Sequence, residues 1–272
     1  MSLSIAKLRE ALVYGFLWLM AILSVFPFVW MLISATNESH DITKGKISFG
    51  NALLENYHKF AELFDVGLVF WNSGKVAVLG SLLTLAVSSL AGYGFEIFRS
   101  PARERVYQAV LLSMMIPFSA LMIPLFILLA SFDMLDTHMA VILPGIASAY
   151  MIFYFRQNTK SFPLELRDAA RVDGLKEWQI FLFVYLPVMR STYAAAFIIV
   201  FMTIWNSFLW PLIVLQSVEL KTITLVLSSL GSSYTPDFGV IMVATIMATI
   251  PTLVVFFAMQ RQFVEGMLGS VK

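Results

Sequence analysis

The sequence predicts an all-α polytopic membrane protein with six transmembrane helices and one further helix on the cytoplasmic side. Three observations predict it. Hydrophobic residues make up 59% of the 272 positions and charged ones only 13%, against about 45–50% and about 25% in soluble domains. That apolar excess, with a mean hydropathy of +0.83, is more than a water-soluble core absorbs. The charges are gathered between long apolar runs, and Lys and Arg fall unequally on alternate connections. Cysteine is absent, which excludes disulfide scaffolds, thiolate metal sites and cysteine nucleophiles. A net charge of +1 gives no basic surface for nucleic acid.

The apolar runs place spans at 12–35, 68–93, 106–131, 139–155, 191–215 and 238–259. A span needs about 20 residues at about 1.5 Å per residue. The fourth is the shortest, with Pro144 and Gly145 near its start. Lys7 and Arg9 precede the first run in the manner of a secretory signal, but its length exceeds the apolar region of about 7–15 residues found there. It is therefore read as a retained helix. Pro117, Pro124, Pro144, Pro211 and Pro251 mark expected kinks.

Sorting the cations sets the orientation. Lys7 and Arg9, then Arg99, Arg103 and Arg105, then Arg156 through Arg190, then Arg261 and Lys272 share one side, whereas Lys44, Lys46, Lys59 and Lys221 lie on the other. The positive-inside rule makes the first side, with both termini, cytoplasmic. Outer loops then cover 36–67 and 216–237, and the longest inner loop covers 157–190. The whole of 1–272 is expected to form a single transmembrane domain.

That inner loop is too patterned for a simple turn. Pro163 suits the first turn of a helix, and Glu165 and Asp168 place negative charge near its N-terminus, where the macrodipole favours it. Ala169 and Ala170 keep the helix thin. Asp173-Gly174 is a stop, since glycine accepts the left-handed conformation that ends helices. A second stretch from Lys176 to Tyr185 leads to Leu186-Pro187, an expected bend. The result is a short helix parallel to the bilayer, slim enough to be gripped by another protein.

Asp168-Ala169-Ala170, Asp173-Gly174 and Leu186-Pro187 resemble the EAA loop of permease subunits in binding-protein-dependent ABC importers, with Asp168 in place of the leading Glu. Trp71-Asn72-Ser73, Ala91-Gly92-Tyr93-Gly94-Phe95, Ile123-Pro124-Leu125, Phe155-Arg156-Gln157, Trp205-Asn206 and Leu209-Trp210-Pro211-Leu212 are similar to the carbohydrate branch, in particular its maltose permease G-like subunits. The resemblance implies that Glu165, Asp168, Ala169, Ala170, Asp173, Gly174, Leu186 and Pro187 couple the chain to an ATPase. It also implies a C-terminal tail contacting that ATPase through Gln260, Phe263 and Gly266, and an outer loop reaching the binding protein through Ser228, Ser229, Gly231, Ser232 and Ser233. A plain linker is the other reading of that loop.

Trp205, Asn206 and Trp210 are candidates for the translocation path. An amide within a span either faces a wet cavity or hydrogen-bonds a neighbouring helix, and the tryptophans also suit interfacial anchors. His40, His58 and His138 are scattered, so no metal site is expected. No GxxxxGK[ST] motif is present to hold ATP phosphates, and no acid, base or metal constellation suggests an enzyme. The expectation is a non-catalytic permease subunit importing a sugar, oligosaccharide or polyol, with no cofactor of its own. The resemblance implies its partners: a second homologous permease, two ATPase subunits that bind ATP and Mg, an extracytoplasmic solute-binding protein, and the lipid of a bacterial or archaeal cytoplasmic membrane. The alternative is a stand-alone secondary carrier or facilitator, opposed by the near absence of ionisable groups within the spans.

Overall fold

In lipid every backbone N–H and C=O must find its partner inside the protein, which leaves helices as the economical solution for single segments. The computed structural model describes residues 2–268, with side chains at 7 and 9–261, and all of its described regular structure is helical. Three helices carry continuous apolar stretches long enough to cross a membrane: α1 (Ser2–Ala35), α4 (Val66–Ile97) and α15 (Phe238–Leu268). Three helix pairs bent at a break are long and apolar enough to cross when each is taken as one span: α5 (Pro101–Ser113) with α6 (Phe118–Ser131) at 102°, His138–Gly145, which contains α7 (His138–Ile142), with α8 (Ala149–Thr159) at 46°, and Glu177–Val188 with α12 (Arg190–Trp205) at 81°. Counting each bent pair once gives six.

The breaks have identifiable causes. Where one span was expected over 106–131, Pro117 adopts φ −65° and ψ 138° and starts α6 afresh, because a proline disfavours helix in the residue before it. The span expected over 191–215 stops at Trp205 and resumes as α13 (Leu209–Val214). Pro211 lacks the N–H that would bond the Ser207 carbonyl, and the Thr224 hydroxyl donates to that carbonyl instead at 2.7 Å. Asn206 is thus a helix end and not a mid-span residue. Ahead of Pro187, residues Phe181–Tyr185 form a π turn, a common response to a lost i→i−4 bond.

Two other expectations change. Helix α4 runs on past 93 and α8 past 155, so Glu96 and Arg156, the latter expected among the cytoplasmic cations, both lie inside helices and are buried. The outer loops are largely structured. Residues 36–67 contain α2 (Ser39–Thr43) and α3 (Leu53–Leu63), and 216–237 contains α14 (Ile223–Gly231), which leaves a short exposed tip around Tyr234.

The chain divides into two compact units, Met1–Val66 with Leu227–Thr249, and Gly67–Val226 with Ile250–Lys272. In the first, α1 exposes apolar side chains along its length, including Trp18, Ile22 and Phe26, and none of its apolar window is covered by the rest of the chain. An all-round apolar helix of this kind has lipid or another subunit as its environment. Buried Asn56 donates to the Ala35 and Asn37 carbonyls at 3.0 Å, and Ser39 Oγ accepts from the Phe238 N–H at 3.0 Å. These bonds stitch the ends of α1 and α15 to α3 and α2.

In the second unit α4 is the central element, burying Ala77, Gly80, Ser81, Thr84, Ser88, Ser89 and Gly92. Small residues let membrane helices approach closely. A Cβ on Gly92 would fall 2.7 Å from Phe155 Cβ and 2.8 Å from the Arg156 backbone nitrogen. At another corner Asp136, at φ 54°, accepts from the N–H groups of Gln216 and Ser217 at 2.8 and 2.9 Å and from the Ser217 hydroxyl. These donors hold its carboxyl below the usual carboxylate range.

Candidate functional site

The segment after α8 folds as its sequence dictates. Pro163 is the N-cap of α9 (Leu164–Val172), with Glu165 in the first turn and Arg171 in the last, so both ends complement the helix dipole. The C-terminus closes in a Schellman motif: Gly174 N–H bonds the Arg171 carbonyl and Leu175 N–H bonds the Ala170 carbonyl, each at 3.0 Å. Gly174 has φ 84° and open space beyond its Cα, so the backbone conformation requires the glycine and packing does not. Glu165, Asp168, Ala169 and Val172 recur at helical spacing on one side, and all four are exposed, Val172 at 88%. Ala170 is buried on the other side.

That inner side is held by one carboxylate. Glu177, first residue of the next helix, α10 (Glu177–Ile180), accepts from Arg167 Nη2 at 3.0 Å and Arg171 Nε at 2.7 Å on Oε1, and from Arg167 Nε at 3.3 Å on Oε2. The Tyr93 hydroxyl, on α4, donates to Oε2 at 3.4 Å. The Arg167 guanidinium lies 5.3 Å from the Phe98 ring centroid, with Arg103 over the same ring at 5.6 Å. Beneath the loop sits an aromatic cluster of Tyr93, Phe162, Phe181 and Tyr185, and the Tyr185 hydroxyl shares a 2.7 Å bond with Thr159 Oγ1. Leu186 and Pro187 are exposed, in the short helix α11 (Leu186–Val188) that follows the π turn.

A second charged group braces the ends of α4, α5 and α8. Arg156, only 6% exposed, bonds Glu96 at 3.3 Å and Glu104 at 2.7 Å and lies 3.8 Å from the Tyr107 ring centroid, while Arg99 also pairs with Glu96. A buried arginine needs such partners to offset its desolvation.

The remaining candidates are dispersed. Trp205 is buried and stacks on Phe201 at 5.7 Å. Trp210 is buried and donates from Nε1 to the Ala140 carbonyl at 3.0 Å. Asn206 is exposed and donates to the Met202 carbonyl of its own helix at 2.8 Å. Ser228, Ser229 and Gly231 close α14, and the Ser232 and Ser233 hydroxyls donate to the Ser228 and Leu230 carbonyls at 2.7 and 2.9 Å. Gln260 is exposed near the end of α15, whereas the side-chain positions of Phe263 and Gly266 lie outside the described residues. Sequence reasoning missed Glu177, Tyr93 and the Glu96–Arg156–Glu104 group. The first had a signal, because a reversal at Asp173-Gly174 necessarily turns the residues after it back toward Arg167 and Arg171.

Comparison with known proteins places this arrangement. Residues 84–269 match the family described as binding-protein-dependent transport system inner membrane component. The lactose transport system permease protein of Rhizobium radiobacter is 64% identical over 98% of this chain and 97% of its own length. An arabinooligosaccharides transport system permease protein of Bacillus subtilis is 32% identical over 94% of each chain. A chain of a bacterial ABC transporter involved in the import of the acidic polysaccharide alginate shares the fold, with a TM-score of 0.81 at 18% identity over 94% of this chain and 97% of that one. An apolar helical chain carrying an exposed, braced loop helix, matched over nearly its full length by importer permeases, belongs to the family of binding-protein-dependent ABC transporter inner membrane permease subunits.

Proposed function

We propose that this permease forms one half of the translocation path of an importer for lactose or a closely related oligosaccharide. A second homologous permease supplies the other half, two ATPase subunits that bind ATP and Mg engage α9, and an external solute-binding protein delivers the sugar. Both chain termini lie in the cytoplasm of a bacterial cell, and residues 1–272 act as one transmembrane domain. The observation that carries the coupling reading is the exposed stripe of Glu165, Asp168, Ala169 and Val172 on a helix whose opposite side is fastened to its own chain. Such a helix presents a slim, acidic, apolar-tipped ridge that a partner can seat and push. The choice of sugar is supported by the lactose permease relative at 64% identity, against 32% for the arabinooligosaccharide relative and 31% for the glycerol-phosphate permease of Escherichia coli.

The test is uptake by proteoliposomes holding the complete complex and its binding protein, offered lactose, arabinooligosaccharides or sn-glycerol 3-phosphate. Lactose is expected to stimulate both hydrolysis and uptake. Asp168→Lys is expected to abolish ATPase co-purification or to leave hydrolysis without uptake, and Asp168→Glu to work as the parent does. Stimulation by another solute and not by lactose would overturn the substrate assignment; wild-type uptake in Asp168→Lys would overturn the role of α9.

A further inference from the structure

The loop that carries α9 has a weak point at Gly174. The connection Asp173–Lys176 is exposed or half-exposed, nothing packs within 4 Å of the Gly174 Cβ position, and the turn, with φ 84° at Gly174, is closed by backbone hydrogen bonds back onto α9. A push on α9 would be absorbed there unless something ties α9 to the helix that follows. One group does so by charge: Glu177, whose Oε1 lies 3.0 Å from Arg167 Nη2 and 2.5 Å from Arg171 Nη2. Its other oxygen reaches the Tyr93 hydroxyl on α4 at 3.4 Å. The Arg167 side chain is 11% exposed and stacked on Phe98, so it cannot swing out to water, whereas Arg171, at 48%, can.

We propose that Glu177 is the positioning residue of this loop, making α9 and the helix leading into α12 a single lever so that displacement of α9 reaches the transmembrane helices. The proposal rests on the reading of α9 as the ATPase-engaging helix. The carboxylate neutralises two guanidiniums that α9 sets one turn apart, and the reversal at Gly174 brings it to them. Without its charge nothing of opposite sign holds them across the joint, the two cations repel each other along α9, and only Arg171 has somewhere to go. The two ends of the lever then move independently.

The experiment uses the complete complex in proteoliposomes and reads three quantities: ATPase co-purified, ATP hydrolysed, and lactose imported per ATP. For Glu177→Gln, assembly and hydrolysis are expected to persist while lactose per ATP falls about tenfold, within the span usual for coupling between sites. Glu177→Asp, which keeps the charge, is expected to recover most of that ratio. The proposal is overturned if Glu177→Gln keeps the parental ratio. It is equally overturned if uptake falls only in proportion to assembled complex, or if Glu177→Asp is as impaired as Glu177→Gln, since either result marks a purely structural role. Failure of the underlying reading shows separately, as parental uptake and ATPase association in Asp168→Lys, and takes this proposal with it.

Discussion

Gly92 has no room for a methyl group. Its Cα faces the backbone of α8 at Phe155 and Arg156, so the side chain it lacks sets how closely α4 and α8 cross, and this crossing brings Glu96 to Arg156. Gly92→Val forces the two helices apart at a place where the obstacle is backbone, which does not rotate away. Overpacking of this kind costs about 1–3 kcal/mol, and the displaced ion pair adds to it. The expected outcome is a lower thermal midpoint in detergent and less assembled complex, read by fluorescence-detected size exclusion. Gly94→Val, two residues on and with open space at its Cβ position, serves as the control expected to match the parent. Glu177 belongs to the same scale but to a different kind of argument, because its carboxylate is held by two arginines and a tyrosine.

At the scale of elements, helix ends are written locally and helix breaks are written jointly. The N-terminus at Pro163 and the stop at Asp173-Gly174 were legible because the residues that cap a helix sit within four positions of its end. The break after Trp205 was not, although Pro211 was in plain view. Proline inside a helix bends it in some places and ends it in others: Pro27, Pro124 and Pro251 all lie within unbroken helices. At Pro211 the freed Ser207 carbonyl has a donor, the Thr224 hydroxyl, and that donor comes from α14. Thr224→Val therefore tests the break itself. Removing one buried hydrogen bond costs about 1 kcal/mol, so the variant is expected to assemble but to unfold a few degrees earlier, and Thr224→Ser to behave as the parent. Equal midpoints for Val and Ser would show that the carbonyl is satisfied without Thr224. The Glu96–Arg156–Glu104 brace was hidden for a related reason. Reading cations by loop assumes that they lie in water, and only the crossing of α4 with α8 shows that Arg156 does not.

For the molecule as a whole, composition settled the class, since a chain this apolar has lipid for most of its surroundings, and the six crossings followed from where the charges interrupt it. The extreme case is α1, apolar on every side and bare along its apolar window. A helix whose apolar window is bare depends on its surroundings in the bilayer for its placement. Ile22→Arg, 62% exposed near its middle, is expected to reduce insertion by about 2.5–3.5 kcal/mol on the scale set by insertion experiments, measured by the fraction of chain integrated into membranes. Ile22→Phe is expected to integrate fully, and equal integration of both would mean that this face is not in lipid.

The π turn at Phe181–Tyr185 has one more consequence. A π turn holds a residue more than the α-helix it interrupts, and each residue of an α-helix advances the azimuth by about 100°. The five residues between α10 and Leu186 therefore act as spare thread in a screw. Tightened to α-helical winding, they would turn the start of α12 relative to α10. Pro187, which has no N–H to close an ordinary turn onto Phe183, keeps that thread slack at rest.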